Sequence, residues 1–353
     1  MDLDMRLSNR PIFVTGADGF VGSHLVDRLL EAEATVHAFV EAQPSGQSVH
    51  LDFAHPQLRI HRGDLRDPHS VRRALEVFPD SNDALVLHLG AQSHVGESWE
   101  RPYETVDTNV RGTLTLLQTV IDLDLDLERF LTAGSSEEYG NPDPALQQRY
   151  RKGGEGGVIL DESSPLNPQS IYATTKVTAD LLTMNYVDAY GLSGVVSRMF
   201  NNFGPRQNPR FFTGTVITQA LERNVVEVGN VSSKRDMCYI SDGVRGLLHT
   251  ALAGASGECY VFGYGENVSM REWAHLILER GQALDVWGEC ELVQRPERFR
   301  PGDTDVQELL VDHSRLTAAT GWQPQVEWRE GLDETIRWYA NHQDRWSGAV
   351  DWR

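Results

Sequence analysis

Pro11-Ile12-Phe13-Val14-Thr15 runs straight into Gly16-Ala17-Asp18-Gly19-Phe20-Val21-Gly22, and an amphipathic stretch from Ser23 to Glu31 follows. A short β-branched and aromatic run reads as a strand, and the stretch after it as a helix. Three glycines at three-residue spacing join them, and each has a physical task. Gly16 allows the tight turn, Gly19 lets a pyrophosphate approach the backbone, and Gly22 lets the helix pack on the sheet. Asp18, Phe20 and Val21 fall in the same turn and helix start. The free N–H groups and positive end of that helix then face a phosphate.

A glycine loop alone is a weak signal, and a second motif strengthens it. Tyr172-Ala173-Thr174-Thr175-Lys176 sets a phenol and an ammonium at i and i+4, on one helical face. The chain has 10 Tyr but only the lysines Lys152, Lys176 and Lys234, so the pairing is unusual. An ammonium and a cationic nicotinamide both favour the phenolate over its usual pKa near 10. Strand, phosphate loop and Tyr/Lys pair together describe a nicotinamide enzyme.

Strand-like and helix-like segments alternate through the first two hundred residues, as in a doubly wound parallel sheet. Strands are expected at 11–15, 35–40, 58–61, 84–90, 129–135 and 194–200, and helices at 20–32, 68–78, 103–121 and 170–190. Residues 141–168 are rich in Gly, Pro and charge and read as an exposed insertion or lid. The later pattern is looser, with helices at 212–223, 241–253 and 269–280 and a strand at 225–228. The expected division is a dinucleotide-binding domain of residues 1–200 plus about 237–262, with a substrate lobe of 201–236 and 263–353. Five of the eight Trp lie between 322 and 352, and are expected to pack a C-terminal helix onto that lobe.

Composition narrows the function. With 353 residues, 40% hydrophobic and 24% charged, the chain reads as a globular protein. No apolar run reaches the length of a membrane span, and residues 1–10 are too polar for a secretory signal. Cys238, Cys259 and Cys290 show no C-x-x-C spacing, which suits a reducing cytosol. A net charge of −19 argues against nucleic acid or an anionic membrane as partner, and leaves an anionic substrate to local arginines. That charge fits a saline habitat or an arginine-favouring genome equally. The 12 His show neither H-x-x-x-H spacing nor clustering with Cys, so no metal site is expected.

Seven motifs in order carry a resemblance over nearly the whole chain. They are Thr15-Gly16-x-x-Gly19-x-x-Gly22, Gly63-Asp64-Leu65-Arg66-Asp67, His88-Leu89-Gly90-Ala91-Gln92-Ser93-His94-Val95, Thr108-Asn109-x-x-Gly112-Thr113, Gly134-Ser135-Ser136-Glu137-Glu138-Tyr139-Gly140, Tyr172-x-x-x-Lys176 and Arg198-x-Phe200-Asn201-x-Phe203-Gly204-Pro205-Arg206. The chain resembles the extended short-chain dehydrogenase/reductases that act on nucleotide-sugars, with a Rossmann-type fold and a smaller C-terminal substrate lobe. It looks most like the GDP-mannose 4,6-dehydratase branch, with the GDP-4-keto-6-deoxymannose reductases close behind.

The resemblance implies roles. Tyr172 is the base for a sugar hydroxyl, Lys176 holds the nicotinamide ribose, and Ser135 hydrogen-bonds the reacting oxygen. Glu137 matches the glutamate that removes the C5 proton once C4 is a ketone. The dTDP-glucose branch places an acid before it, where this chain has Ser136. Some 4-keto reductases share this stretch, so Glu137 permits dehydration without proving it. Glu41, after the second strand, suits a ribose hydroxyl contact and favours NAD over NADP. Asp64 and Leu65 match adenine contacts, and Leu89, Gly90 and Ala91 the loop beside the dinucleotide. Asn201, Arg235 and Arg300 match positions that grip a sugar-nucleotide diphosphate, and His94 is expected to line the sugar pocket. The expected protein is a cytoplasmic homodimer or homotetramer that uses NAD to turn a nucleotide-diphosphate sugar into its 4-keto-6-deoxy form. A 4-keto reductase or 4-epimerase on the same scaffold is the alternative, and a non-catalytic NAD-binding protein the second.

Overall fold

The computed structural model describes residues 2–42, 50–79, 81–153, 157–300, 302 and 304–347. Its centre is a parallel sheet of seven strands: β1 (Pro11–Thr15), β2 (Thr35–Glu41), β3 (Leu58–Gly63), β4 (Leu85–His88), β5 (Arg129–Ser135), β6 (Gly194–Met199) and β9 (Cys259–Phe262). The spatial order is β9-β6-β5-β4-β1-β2-β3. Every residue of β1 and β4 is buried, as expected where helices cover both faces of a parallel sheet. Those helices include α1 (Phe20–Glu31), α2 (Pro68–Leu75), α3 (Gly112–Asp122), α4 (Ile171–Tyr190) and α5 (Ile240–Ala253). This is a Rossmann-type doubly wound fold.

The order reverses at β1, which pairs with β2 on one side and β4 on the other. Such a switch point opens a crevice at the carboxyl ends of the strands. Gly16, at φ +64°, turns the chain there, and a Cβ on it would stand 2.8 Å from Gly90 Cα. Only glycine fits both demands.

α4 carries the next part of the site. Ser170 caps it by accepting the Ala173 N–H at 3.1 Å, and Gly191, at φ +71°, ends it. Its buried face runs Tyr172, Lys176, Ala179, Asp180 and Thr183. Thr183 meets Thr132 of β5 by a 2.7 Å hydroxyl bond, which fixes the helix against the strand that ends at Ser135.

A second, three-stranded sheet lies beyond: β7 (Asn201–Phe203) runs parallel to β8 (Lys234–Tyr239), and β10 (Asn267–Ser269) antiparallel to β8. The sequence pattern did not reveal it: β7 and β10 have three residues each, too few for a periodicity, and the expectation carried 237–262 back to the main sheet. Its packing is aromatic: Trp273, fully buried in α6 (Met270–Ala283), stacks edge-on to Phe203, and Trp328 donates to Met237 O at 2.6 Å. Trp338 and Trp346 pack around Tyr339 of α7 (Trp328–Asn341), and Trp322 against Phe262. Trp352 lies outside the described residues.

Two expectations need correction. The helix expected at 103–121 is present as one continuous run, Pro102–Asp122, but it is not α throughout: a five-residue π turn, Asp107–Arg111, lies between Pro102–Val106 and α3. The Asn109 side chain explains the irregularity, because it leaves the helix surface to bond Gln92 and Thr175. Residues 141–168 are not simply exposed either. Tyr150 and Leu160 are buried with Tyr139, Phe200, Val306, Leu309 and Val311 in a small core of their own. Within that stretch, residues 154–156 lie outside the described residues.

Candidate functional site

The first wall of the site is the glycine turn. α1 begins at Gly19 with no side-chain cap and no acid in its first turn, so its terminal N–H groups keep open bonds toward the crevice. Phe20 and Val21 form that first turn, and Asp18 sits just before it, half-buried, its carboxyl raised above the usual range by burial. Gly22 packs on the Gly16 carbonyl so closely that a Cβ would collide with it. The turn thus sets uncapped backbone N–H groups and side-chain-free glycines at the mouth of the crevice.

The facing wall is held by a buried chain of hydrogen bonds. Thr15 Oγ1 accepts the Leu89 and Gly90 N–H groups at 3.1 and 2.9 Å and meets His88 Nδ1 at 2.7 Å. Thr113 donates to Asn109 O at 2.6 Å, and so accepts from His88 Nε2 at 2.9 Å. These bonds end β4 at His88, not at Gly90, and fix the Leu89-Gly90-Ala91 loop beside Gly16. Burial first, and Lys176 second, hold His88 down at about 3, so it is neutral. Glu41 stands exposed at the end of β2 opposite Gly63, and Asp64 and Leu65 follow β3. Asp64 is held in a two-pronged pair by Arg66, and Leu65 packs beneath Gly90 and Gly112.

Between the walls, β5 delivers Ser135 and the turn after it delivers Ser136 and Glu137, all buried. Ser135 Oγ accepts the Glu137 N–H at 3.2 Å and is hydrogen-bonded to Tyr172. Burial raises the Tyr172 phenol above its usual range, and the Ser135 bond works against that rise. Lys176, one turn on, is fully interior and donates to Ala133 O. Burial lowers the proton affinity of its ammonium, while Asp180 and Glu138 raise it.

The far end is a cluster of arginines and carboxylates. Arg300 Nη1 lies 3.3 Å from Glu137 Oε2, and Arg300 Nε 3.7 Å from Asp305 Oδ1. Arg235, buried in β8, stands 3.7 Å from the same Asp305 oxygen and donates to Val306 O at 2.8 Å. Burial lowers its guanidinium below the usual range, and Glu137 opposes that. Asn201 opens β7, its Oδ1 buried with no partner. His94 caps the short helix Val95–Glu100, accepting the Glu97 N–H at 3.1 Å, and lies edge-on to Phe211. Its ring is held below its usual range by burial, with Arg210 and Arg300 among the charges nearby.

Ser135, Ser136, Glu137, Tyr172, Lys176, Arg235 and Arg300 thus converge, while Glu41, Asp64 and Leu65 lie along the sheet edge that leads away from them. Sequence reading gave no role to Glu138, Asp180, Arg198 or Asn109. Asp180 had a signal, because it sits four residues past Lys176 on the same face.

The family described as GDP-mannose 4,6 dehydratase matches residues 13–335. A dTDP-glucose 4,6-dehydratase of Streptomyces griseus is 31% identical over 346 residues, covering 96% of this chain and 97% of that protein. GDP-mannose 4,6 dehydratase 1 of Arabidopsis thaliana is also 31% identical, over 92% of this chain and 88% of its own. The GDP-6-deoxy-D-mannose reductase of Pseudomonas aeruginosa is 28% identical over 91% and 94%. Among solved structures, a dTDP-glucose 4,6-dehydratase of Streptomyces venezuelae with NAD bound superposes with a TM-score of 0.81, at 28% identity over 96% of this chain and 99% of that one. RMD from Pseudomonas aeruginosa, complexed with NADPH, gives 0.74 at 26% identity over 94% and 99%.

Proposed function

Since the chain belongs to the GDP-mannose 4,6-dehydratase family, we propose that it is a nucleotide-sugar 4,6-dehydratase working with NAD. The observation that carries this reading is Glu137, a buried carboxylate one turn from Ser135 in a site that also holds Tyr172 and Lys176. A reductase or epimerase needs only the last three.

When bound, the nicotinamide accepts a hydride from a sugar carbon and returns one in the same turnover. The side chains do the rest. Tyr172 takes the proton of the C4 hydroxyl, Ser135 bridges phenol and sugar oxygen, and Lys176 steadies the phenolate and the ribose. With C4 a ketone, Glu137 removes the acidified C5 proton and passes it to the C6 hydroxyl, which leaves as water; as hydride would return to C6, the proton taken up by Tyr172 is the equivalent that restores C5–H. Arg235 and Arg300 suit a diphosphate, whose paired oxygens can accept from their planar forks, with Asn201, His94 and Ser136 around the sugar. Gly16 to Gly22, Asp64, Leu65 and Leu89 to Ala91 form the dinucleotide cradle, with residues 1–200 and about 237–262 as its domain. Glu41 accepts from the adenosine ribose and disfavours a 2′-phosphate.

Ser136, in the position where the dTDP branch has an acid, makes GDP-mannose the first substrate to try. The test is incubation with GDP-, dTDP-, UDP- and CDP-hexoses without added cofactor, followed by mass analysis for loss of water and carbonyl trapping. One observation favours the 4-keto reductase reading: Glu137 already serves Arg300 in an ion pair, a structural use that needs no base. Product formation without added reductant decides between them. Tyr103, Leu114 and Leu181 stand exposed on neighbouring helices, which supports self-association as a dimer or tetramer, to be read by light scattering. Among the described residues no helix is long and apolar enough to cross a membrane.

A further inference from the structure

Behind Lys176 the chain buries more charge than the proposed reaction uses. Glu138, Asp180 and Arg198 are all interior. Arg198 Nε stands 2.9 Å from Glu138 Oε2 and 2.8 Å from Asp180 Oδ2, and Nη1 donates to Tyr139 Oη at 3.2 Å. Glu138 Oε1 accepts the Ser135 N–H at 2.6 Å. Gly134 makes the room, since a Cβ there would lie 2.8 Å from both Glu138 Oε1 and Arg198 Cγ and 3.1 Å from Asp180 Oδ1.

As two carboxylates, the pair would leave Asp180 Oδ1 buried with no hydrogen-bond partner and Glu138 Oε2 with only an ion-pair contact, because the Arg198 Nε–H is donated to Asp180 Oδ2. That arrangement is costly in a dry interior. One proton held by the pair supplies the missing donor, in the side-chain hydrogen bond between Glu138 and Asp180.

We propose that Glu138 and Asp180 are positioning residues for Tyr172 and Lys176, a buried carboxyl pair that shares one proton, anchors the Ser135 backbone and keeps Lys176 an ammonium. The inference rests on the Tyr172–Lys176 reading above. The other groups in play are His88 of β4 toward Lys176, Glu137 and Ser135 toward Tyr172, and Tyr139 and Cys259 toward Arg198. Burial first, and Asp180 second, raise Glu138 well above the carboxyl range, in keeping with a proton held there.

The purified protein labelled with ¹³C at lysine Cε tests this, because only Lys152, Lys176 and Lys234 report and Lys176→Met assigns the resonance. An amide can replace the protonated acid and still donate to the remaining carboxylate. Glu138→Gln and Asp180→Asn should therefore each leave the Lys176 midpoint close to the parent value. The double variant should lower it by about one pH unit or more, the effect of losing a nearby opposite charge. Parent-minus-variant infrared spectra near neutral pH should show the carbonyl stretch of a protonated carboxylic acid for either single variant, which separates it from Asp236, itself pushed up to about 7 by burial. Single shifts that add up to the double shift would mean both groups are ionised and would overturn the shared proton. An unmoved midpoint in the double variant would remove the link to Lys176. If the double variant does not fold, absence of the band from both single-variant difference spectra overturns the proposal by itself. No step needs a substrate, so failure of the dehydratase reading leaves these readouts intact.

Discussion

Arg300 Nη1 stands 3.3 Å from Glu137 Oε2, across 163 residues of chain. The candidate C5 base and a candidate diphosphate ligand are therefore direct neighbours, and Asp305 shares the same guanidinium. Glu137→Gln keeps the shape and a hydrogen-bond acceptor for Arg300 but removes the base. The variant should still bind nucleotide-hexose, release no 4-keto-6-deoxy product and exchange no C5 hydrogen with deuterated solvent. Mass spectrometry reads both. Near-native turnover would move the assignment to a 4-keto reductase.

Tyr172→Phe removes the phenol that meets Ser135 and leaves the buried ring in place. Turnover should fall by about 10²–10⁴-fold, as for a lost general base, with an unchanged thermal melt. Activity close to the parent would take Tyr172 out of the chemistry.

Glu41 ends β2 in the open, with Arg66 among the groups that sense its charge. NAD should bind about tenfold tighter than NADP, or roughly 1.4 kcal/mol, and Glu41→Arg should narrow or reverse that preference. Calorimetry with both dinucleotides checks it, and equal parent affinities would end the role of Glu41.

His88 makes stability depend on pH. The folded protein keeps the ring neutral down to about 3, while the unfolded chain protonates near 6.5. Its contribution is therefore complete above pH 6.5 and is lost as pH falls toward 3, by about 1.4 kcal/mol per pH unit. His37, His50 and His249, each held down at about 4, add the same sign. Denaturant titrations of parent and His88→Gln between pH 7 and 4.5 should show a shallower slope in the variant. Parallel slopes would show that His88 protonates without cost.

Six of the seven strands were legible as short β-prone runs bounded by turn residues, from Pro11–Thr15 to Gly194–Met199, while β9 was expected only as a return of the chain around 237–262. Ser135, Glu137, Tyr172 and Lys176 were legible for a related reason: a motif of a few residues carries its own geometry. What sequence could not supply was anything made by distant partners. Asn109 bends its helix into a π turn only because Gln92 and Thr175 wait for its amide. Arg198 opens one of the motifs, but nothing local in it announces the pairing with Glu138 and Asp180. The stretch 141–168 looked loose because its core partners, Val306 to Val311, lie some hundred and fifty residues later.

Those late partners bear on how substrate preference can be transplanted. Asn141 donates to Asp305 O and accepts the Gln307 N–H, Leu160 bridges to Val311, and Arg151 pairs with Asp312. The loop that carries Arg300 and Asp305 is thus sewn to a segment that follows directly on Ser135. A graft of residues 201–353 from a relative would cut every one of these stitches and leave the donor arginines aimed by the wrong seam. The exchangeable cassette is discontinuous, and residues 139–168 have to travel with 300–312.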